Sequence, residues 1–309
     1  MTIANFNVVF GENEEPLLNY FDTIIMPAFK NDYTRKSGGN EFKFLNINVI
    51  EVGEDDYALT GIIVKKTTLE VKSKFDEKKN LVETDEVYPT APYSLFVIHL
   101  KNHRMVLVKN QKGSPDLKSF ASTFRVIIDS YIREENKRRK EQEIKKLPIP
   151  IVNIIGIPIK ASIEESLTKV SKVNKLTLKF YPLNGDIDFS GLFDGMTTDL
   201  RKKVGSKTGA VVLNSPTSID GIVEVLTEAQ GTIEPVFNVT FPDSSKGTLT
   251  HGTLSESMDI LLDKDTIHNE LHQIANKSKK FESISTVSKG NREIFELKKS
   301  KIIPFVKKK

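Results

Sequence analysis

The sequence predicts an α+β protein of two β-rich lobes with packed helices, separated by a long charged helix and a proline-containing linker. Three observations carry this reading. Short apolar-rich segments over residues 3–10, 42–64 and 93–108 are joined by compact turns. One apolar stripe at i, i+3, i+4, i+7 spacing runs through Leu117, Phe120, Phe124, Ile127, Ile128, Tyr131 and Ile132, then stops in an almost wholly charged stretch, 133–146. Leu147-Pro148-Ile149-Pro150 ends the helix and opens a second series of elements. The domains expected are 1–146, 147–285 and a basic tail, 286–309.

In chain order, Ile3, Phe6, Val8 and Phe10 punctuate a first strand. Leu17, Leu18, Phe21, Ile24 and Ile25 sit at helical spacing within 15–29. Residues 42–52 and 57–64 read as strands around the turn Gly53-Glu54-Asp55-Asp56, and 67–72 continues the β-rich stretch. The polar residues 75–90 read as a long loop. Strands over 93–100 and 105–108 flank the turn at Lys101–Arg104. Ser114 offers an N-cap, with Pro115 at the first helical position. Beyond the linker come a strand over 151–159, a helix over 162–173, a strand over 176–181 and a helix over 189–204. Strands over 209–213 and 222–226 follow, then 233–241 as a hairpin partner. Pro235 suggests that this last strand is an edge. A helix over 265–279 closes the fold.

Composition narrows the function classes. The chain of 309 residues has no cysteine, which removes disulfides, thiolate nucleophiles and thiolate metal sites. It has no 18-residue apolar run and no basic, apolar leader, so a cytoplasmic protein is expected. A net charge of +4 says little, but its distribution says more. Residues 1–60 hold 4 basic and 10 acidic side chains, whereas 286–309 hold 8 basic and 2 acidic. Such asymmetry suits a face turned toward a polyanion; a Lys-rich tail is equally explained as solvated surface.

The basic clusters carry the functional reading. Arg201, Lys202 and Lys203 precede Gly205-Ser206-Lys207-Thr208-Gly209, where small and hydroxyl-bearing residues allow close approach to phosphate. Arg201, Lys202, Lys203, Ser206 and Lys207 are the first-choice DNA contacts. Arg138 and Arg139, in the run Arg133 to Lys140, come second with Lys307 and Lys308 of the tail. The helix run also holds Glu134, Glu135 and Glu141, so it can equally pair with itself as a solvated face.

Catalytic patterns are thin. The loop around Lys207 lacks the glycine spacing of a Walker motif, and Lys207-Thr208-Gly209 has no accompanying Ser-x-x-Lys. His268 and His272 share a helix face, but Asn269 stands where zinc hydrolases place glutamate. Asp56, Glu70 and Lys72 have the order Asp…Glu-x-Lys of metal-dependent nucleases, in which two carboxylates hold Mg²⁺. Asp56 is also explained as a turn residue. Lys179-Phe180-Tyr181 interleaves basic and aromatic residues, although core packing explains Phe180. No cofactor is expected.

Several segments together resemble the RexA-like DNA-binding proteins of phage exclusion. They are Tyr88-Pro89 before Ser94-Leu95-Phe96-Val97, the entry Gly113-Ser114-Pro115-Asp116-Leu117, the strands near 154–159 and 176–181, Leu200-Arg201-Lys202-Lys203-Val204, the hairpin over 222–241, and Gly247-Thr248-Leu249 before a terminal helix. The likeness spans most of residues 40–280. It implies a cytoplasmic, homodimeric, sequence-nonspecific binder of double-stranded DNA that signals to a membrane-associated effector partner. The charged stretch 133–146 and the Lys-rich tail depart from that pattern. Alternatives remain a Mg²⁺-dependent nuclease effector and a non-enzymatic component that binds an acidic protein.

Overall fold

The protein is described by a computed structural model over residues 1–77, 80–184, 199–255 and 266–307. It is α+β, with a curled nine-stranded sheet and a second, four-stranded sheet among the described residues.

The first half supplies β1 (Thr2–Phe10), β2 (Glu15–Pro16), a 3₁₀ turn at Leu17–Tyr20, a π-helical turn at Phe21–Ile25 and α1 (Met26–Lys30). Then follow β3 (Arg35–Ser37), β4 (Asn40–Gly53), β5 (Asp56–Phe75), β6 (Leu81–Thr90), β7 (Tyr93–His99), β8 (Arg104–Lys109) and the long helix α2 (Leu117–Glu141). The second half adds β9 (Pro150–Gly156), α3 (Lys160–Thr168), β10 (Lys172–Phe180), α4 (Arg201–Lys203), β11 (Gly209–Asn214) and α5 (Ile219–Glu228). It closes with β12 (Ile233–Thr240), β13 (Lys246–Thr250), α6 (His251–Leu254), α7 (Ile267–Ser278), α8 (Glu282–Ser285) and α9 (Lys289–Lys298).

The large sheet runs β2-β1-β8-β7-β5-β4-β3, with β9 also on β1 and β6 also on β5. Both faces are covered at its centre, which is why β1, β7, β8 and the first part of β5 read as nearly unbroken apolar runs. Alternate residues point to opposite faces. Phe6 and Phe10 of β1, Tyr57 and Leu59 of β5, and Phe96 of β7 pack on α1, Phe120 and Phe124 of α2, and Phe295 of α9. On the other face Ile3, Ala58, Ile62, Leu95 and Val97 meet Leu271, Ile274 and Ala275 of α7. The smaller sheet, β11-β10-β12-β13, buries Leu176, Leu178 and Phe237 under Ile163 and Leu167 of α3 and Ile222, Val223 and Leu226 of α5.

Several expectations need correction. The boundary at 147 divides the first sheet, because β9 pairs with β1 from Ala4↔Gly156 to Phe10↔Pro150. Helix α2 does not separate two lobes; it lies on the first sheet and buries its stripe there. The tail is not free. Phe295 and Ile302 are fully buried in the first core, and Lys307 N–H donates to Val49 C=O at 2.9 Å. Residues 81–90 form β6 rather than loop, paired along β5 from Thr67↔Thr90 to Phe75↔Leu81. Residues 222–226 belong to helix α5, whose Ile219, Ile222, Val223 and Leu226 have i, i+3, i+4, i+7 spacing. Ser218 caps it by accepting from Gly221 N–H at 3.1 Å. Pro235 lies in an inner strand rather than an edge: it pairs with Leu178 of β10, and β13 pairing begins at the next residue, Val236↔Thr250. Asp116, not Ser114, caps α2 by accepting from Ser119 N–H at 2.8 Å; Ser114 Oγ accepts from Gln111 N–H and closes the preceding turn. The helix expected over 189–204 lies largely outside the described residues.

The docking of α7 on the first sheet carries a pH dependence. Buried His99 faces Ser278 Oγ at 3.0 Å, and that hydroxyl already donates to Ala275 C=O. Ser278 therefore accepts, which makes His99 a neutral Nε2–H donor. Burial pushes its pKa down to about 4, with Asp56 pulling it up and Lys279 lowering it further. The folded protein thus resists a proton that the unfolded chain accepts near pH 6.5. Stability is full above that pH and falls as pH drops toward 4, by about 3 kcal/mol in all. Chemical denaturation of His99→Gln at a series of pH values between 7 and 4 should show a flatter acid limb than the parent. Limbs of equal steepness would remove His99 as the cause.

Candidate nucleic-acid interface

Two of the basic clusters, far apart in sequence, meet in one groove. On α2, Asp129, Arg133, Asn136, Lys137 and Lys140 share a face, at i, i+4, i+7, i+8 and i+11. That face overhangs the linker 146–150 and the start of β9. Gly11 and Glu12, just past β1, and Lys207 complete a groove of about 830 Å³. A second hollow of about 570 Å³ continues it, sharing Gly11, Glu12, Ile151 and Lys207 and adding Glu14, Arg201, Lys202 and Ser206.

The groove has an apolar floor and a basic rim. Ile132 and Leu147 are buried beneath it, whereas Ile149 is 68% exposed. Arg133, Lys137, Lys140, Lys146 and Lys207 are exposed, and none makes an ion pair with a described residue. Two acids oppose them, Glu12 and Asp129. Burial raises the pKa of Asp129, while Arg125 and Arg133 pull it back down. Because Asp129 is an acid set among these cations, Asp129→Asn should tighten binding of a polyanion several-fold at pH 7, measured by anisotropy. An unchanged Kd would show that Asp129 faces no bound phosphate.

Local geometry holds the groove open. Asn136 clamps the linker, donating from Nδ2 to Leu147 C=O at 3.1 Å and accepting at Oδ1 from Leu147 N–H at 2.6 Å. Gly11 has φ of +71°, and its N–H donates to Ile149 C=O at 3.0 Å. A Cβ there would sit 3.3 Å from Pro148 Cβ, so a side chain would be strained twice over.

Sequence-chosen residues are sorted by this geometry. Lys207 lines the groove, and Lys202 lies at its end, 3.9 Å from Glu14. Lys203 is exposed but lines neither hollow. Arg201 is only 4% exposed and forms a two-pronged pair with Glu14, one prong at 2.8 Å, while also donating to Ser206 C=O at 3.0 Å. It builds the loop and offers phosphate nothing. Ser206 Oγ donates to Thr208 C=O at 2.6 Å. Arg138 and Arg139 leave the groove face and pair with Glu135, and Arg139 also caps Lys145 C=O at 2.9 Å. Lys307 is exposed beside β4, away from the groove, and Lys308 lies outside the described residues. Lys299 and Lys301 of the same segment pair with Asp55 and Asp22. Sequence reasoning passed over Arg133, Lys137, Lys140 and Lys146 as contacts. The i, i+4, i+7 spacing of the first three was the available signal.

The nuclease triad comes apart. Asp56 and Glu70 lie on the one strand β5, fourteen residues and roughly 46 Å apart. Asp56 is paired to Lys279, and Glu70 pairs with Lys72 at 3.0 Å on an exposed surface. One ion cannot bridge these carboxylates. His268 and His272 stack edge-on at 4.7 Å. Phe180 is buried, and Tyr181 donates to Glu234 at 2.6 Å, so that pair serves packing rather than base stacking.

No protein-family model matches the chain, and the comparison with curated proteins gave no match. No helix among the described residues is long and apolar enough to cross a membrane.

Proposed function

We propose that the protein binds double-stranded DNA without sequence preference, through phosphate contacts in the groove between α2, the linker and the Lys207 loop. The observation that supports this is the convergence, from three separate segments, of five cations that make no ion pair among the described residues. Structural ion pairs would have consumed such charges, as they consumed Arg201 and Arg139. Cations that outnumber the two acids beside them can neutralise phosphates and release the counterions condensed on DNA, which drives non-specific binding. Arg133, Lys137 and Lys140 recur about once per helical turn, so they present a line of charge rather than a point. Phosphate contacts carry no sequence information, so affinity should not depend on sequence.

The resemblance to RexA-like proteins supports a sensor role in anti-phage exclusion, as a cytoplasmic homodimer that signals to a membrane-associated effector partner. The test is anisotropy with two unrelated duplexes across a salt series. Equal, steeply salt-dependent affinities are expected. A strong preference for one duplex, or no binding at low salt, would refute the reading, and salt-sensitive capture of an acidic protein instead would replace it.

A further inference from the structure

The distal part of β5 and all of β6 form a ribbon on which no other described strand pairs and whose side chains are largely exposed. Pairing of β5 with β4 ends at Lys66 and with β7 at Val64. Beyond that point β5 and β6 pair only with each other, over roughly 30 Å. A two-stranded ribbon alone in water is marginally stable, and its edges invite pairing. Yet this one carries Leu69, Phe75, Leu81, Val87 and Tyr88 at half exposure or more, with Phe75, near the tip, 74% exposed. Phe75 and Leu81 are direct cross-strand partners there. Such a concentration of exposed apolar side chains marks an interaction surface.

The charge of the ribbon says what it meets. Residues 67–90 hold six acidic side chains and four lysines. Lys72 and Lys74 are already paired, to Glu70 and Glu86, whereas Glu83 and Asp85 are exposed and make no ion pair with a described residue. Exposed Phe75 and Leu81 beside Glu83 and Asp85, acids that make no ion pair among the described residues, complement the groove around Ile149, an apolar floor beneath bases that make none either. Phosphate-bearing DNA is a poor partner for this ribbon for the same reason.

The ribbon cannot reach its own groove. Register places Gly61 of β5 opposite Phe96, Phe96 opposite Leu107, and Leu107 opposite Thr2. The ribbon therefore leaves the sheet at the Thr2 end of β1. The groove sits at the other end, past Phe10↔Pro150. We infer that, without DNA, the β5–β6 ribbon of one copy lies in the basic groove of a second copy, head to tail. Such a contact is heterologous, so it closes a ring or extends a chain of copies. It also sets self-association against DNA, since both use the same cations. The ribbon contact itself does not rest on the DNA reading; only the competition does.

The test is sedimentation velocity over a range of protein concentrations. The parent should associate as concentration rises. Phe75→Ser with Leu81→Ser, and separately Arg133→Glu with Lys137→Glu, should each raise the midpoint at least tenfold. All these residues are exposed, so folding should survive, and circular dichroism checks it. Glu83→Lys with Asp85→Lys should weaken association likewise and restore it partly when mixed with the groove variant. A parent that stays monomeric, or association unchanged in either the ribbon or the groove variant, would overturn the proposal. Added duplex should dissociate the assembly. If ribbon and groove variants both disrupt association while duplex does not bind at all, the DNA reading falls and the contact between copies stands.

Discussion

Replacing Arg133, Lys137 and Lys207 together by alanine should lower the slope of log affinity against log salt by about three units, for any duplex. Each cation that neutralises a phosphate contributes close to one unit. At 0.1 M salt the same triple change should weaken binding on the order of 100- to 1,000-fold. All three side chains are exposed and without ion pairs among the described residues, so the fold loses little by their removal. Arg138→Ala is the internal control. It lies one residue from Lys137 in sequence, but it leaves the groove face and pairs with Glu135. Its slope should match the parent. Equal losses in Arg138→Ala and in the triple variant would mean that net charge, rather than the groove, governs binding.

Arg201→Met should act on stability instead. The guanidinium is buried against Glu14 and Ser206 C=O, which ties the Lys207 loop to the turn after β1. Removing one partner of a buried pair leaves the other charge desolvated and uncompensated, a loss of about 3–5 kcal/mol. Glu14→Gln in the same chain should recover part of that loss, because no isolated carboxylate remains. Urea denaturation of the two single variants and the double variant measures the coupling. A loss below about 1 kcal/mol for Arg201→Met would show the pair to be solvated and the residue available for phosphate after all.

The contrast between these two predictions shows what local sequence could carry. Arg201, Lys202 and Lys203 look alike as a run, but Arg201 is taken by Glu14, 187 residues away, and no local pattern announces such a partner. On α2 the information was present. Arg133, Lys137 and Lys140 fall on one helical face, while Glu135 sits beside Arg138 and Arg139. Strands β1, β7, β8 and the first part of β5 were legible because burial on both faces of the sheet demands apolar runs. Strand β6 was not, because an uncovered ribbon has no core to impose alternation, and its acids and threonines read as loop. Helix α5 read as a strand because its β-branched residues outweighed a spacing that was helical throughout. The pairing of β9 with β1 crosses a Pro-rich linker that looks like a domain boundary, and only tertiary contact shows otherwise.

Position, rather than affinity, tests the central claim most directly. The chain has no cysteine, so one engineered cysteine gives a unique attachment point for a photo-crosslinker. Ile149→Cys places it on the groove floor, and Val212→Cys places it at an exposed site on the second sheet. Irradiation with an unrelated-sequence duplex should crosslink DNA from position 149 and not from 212, and excess salt should abolish the product. Crosslinking from 212 alone, or equally from both, would contradict a DNA path through this groove.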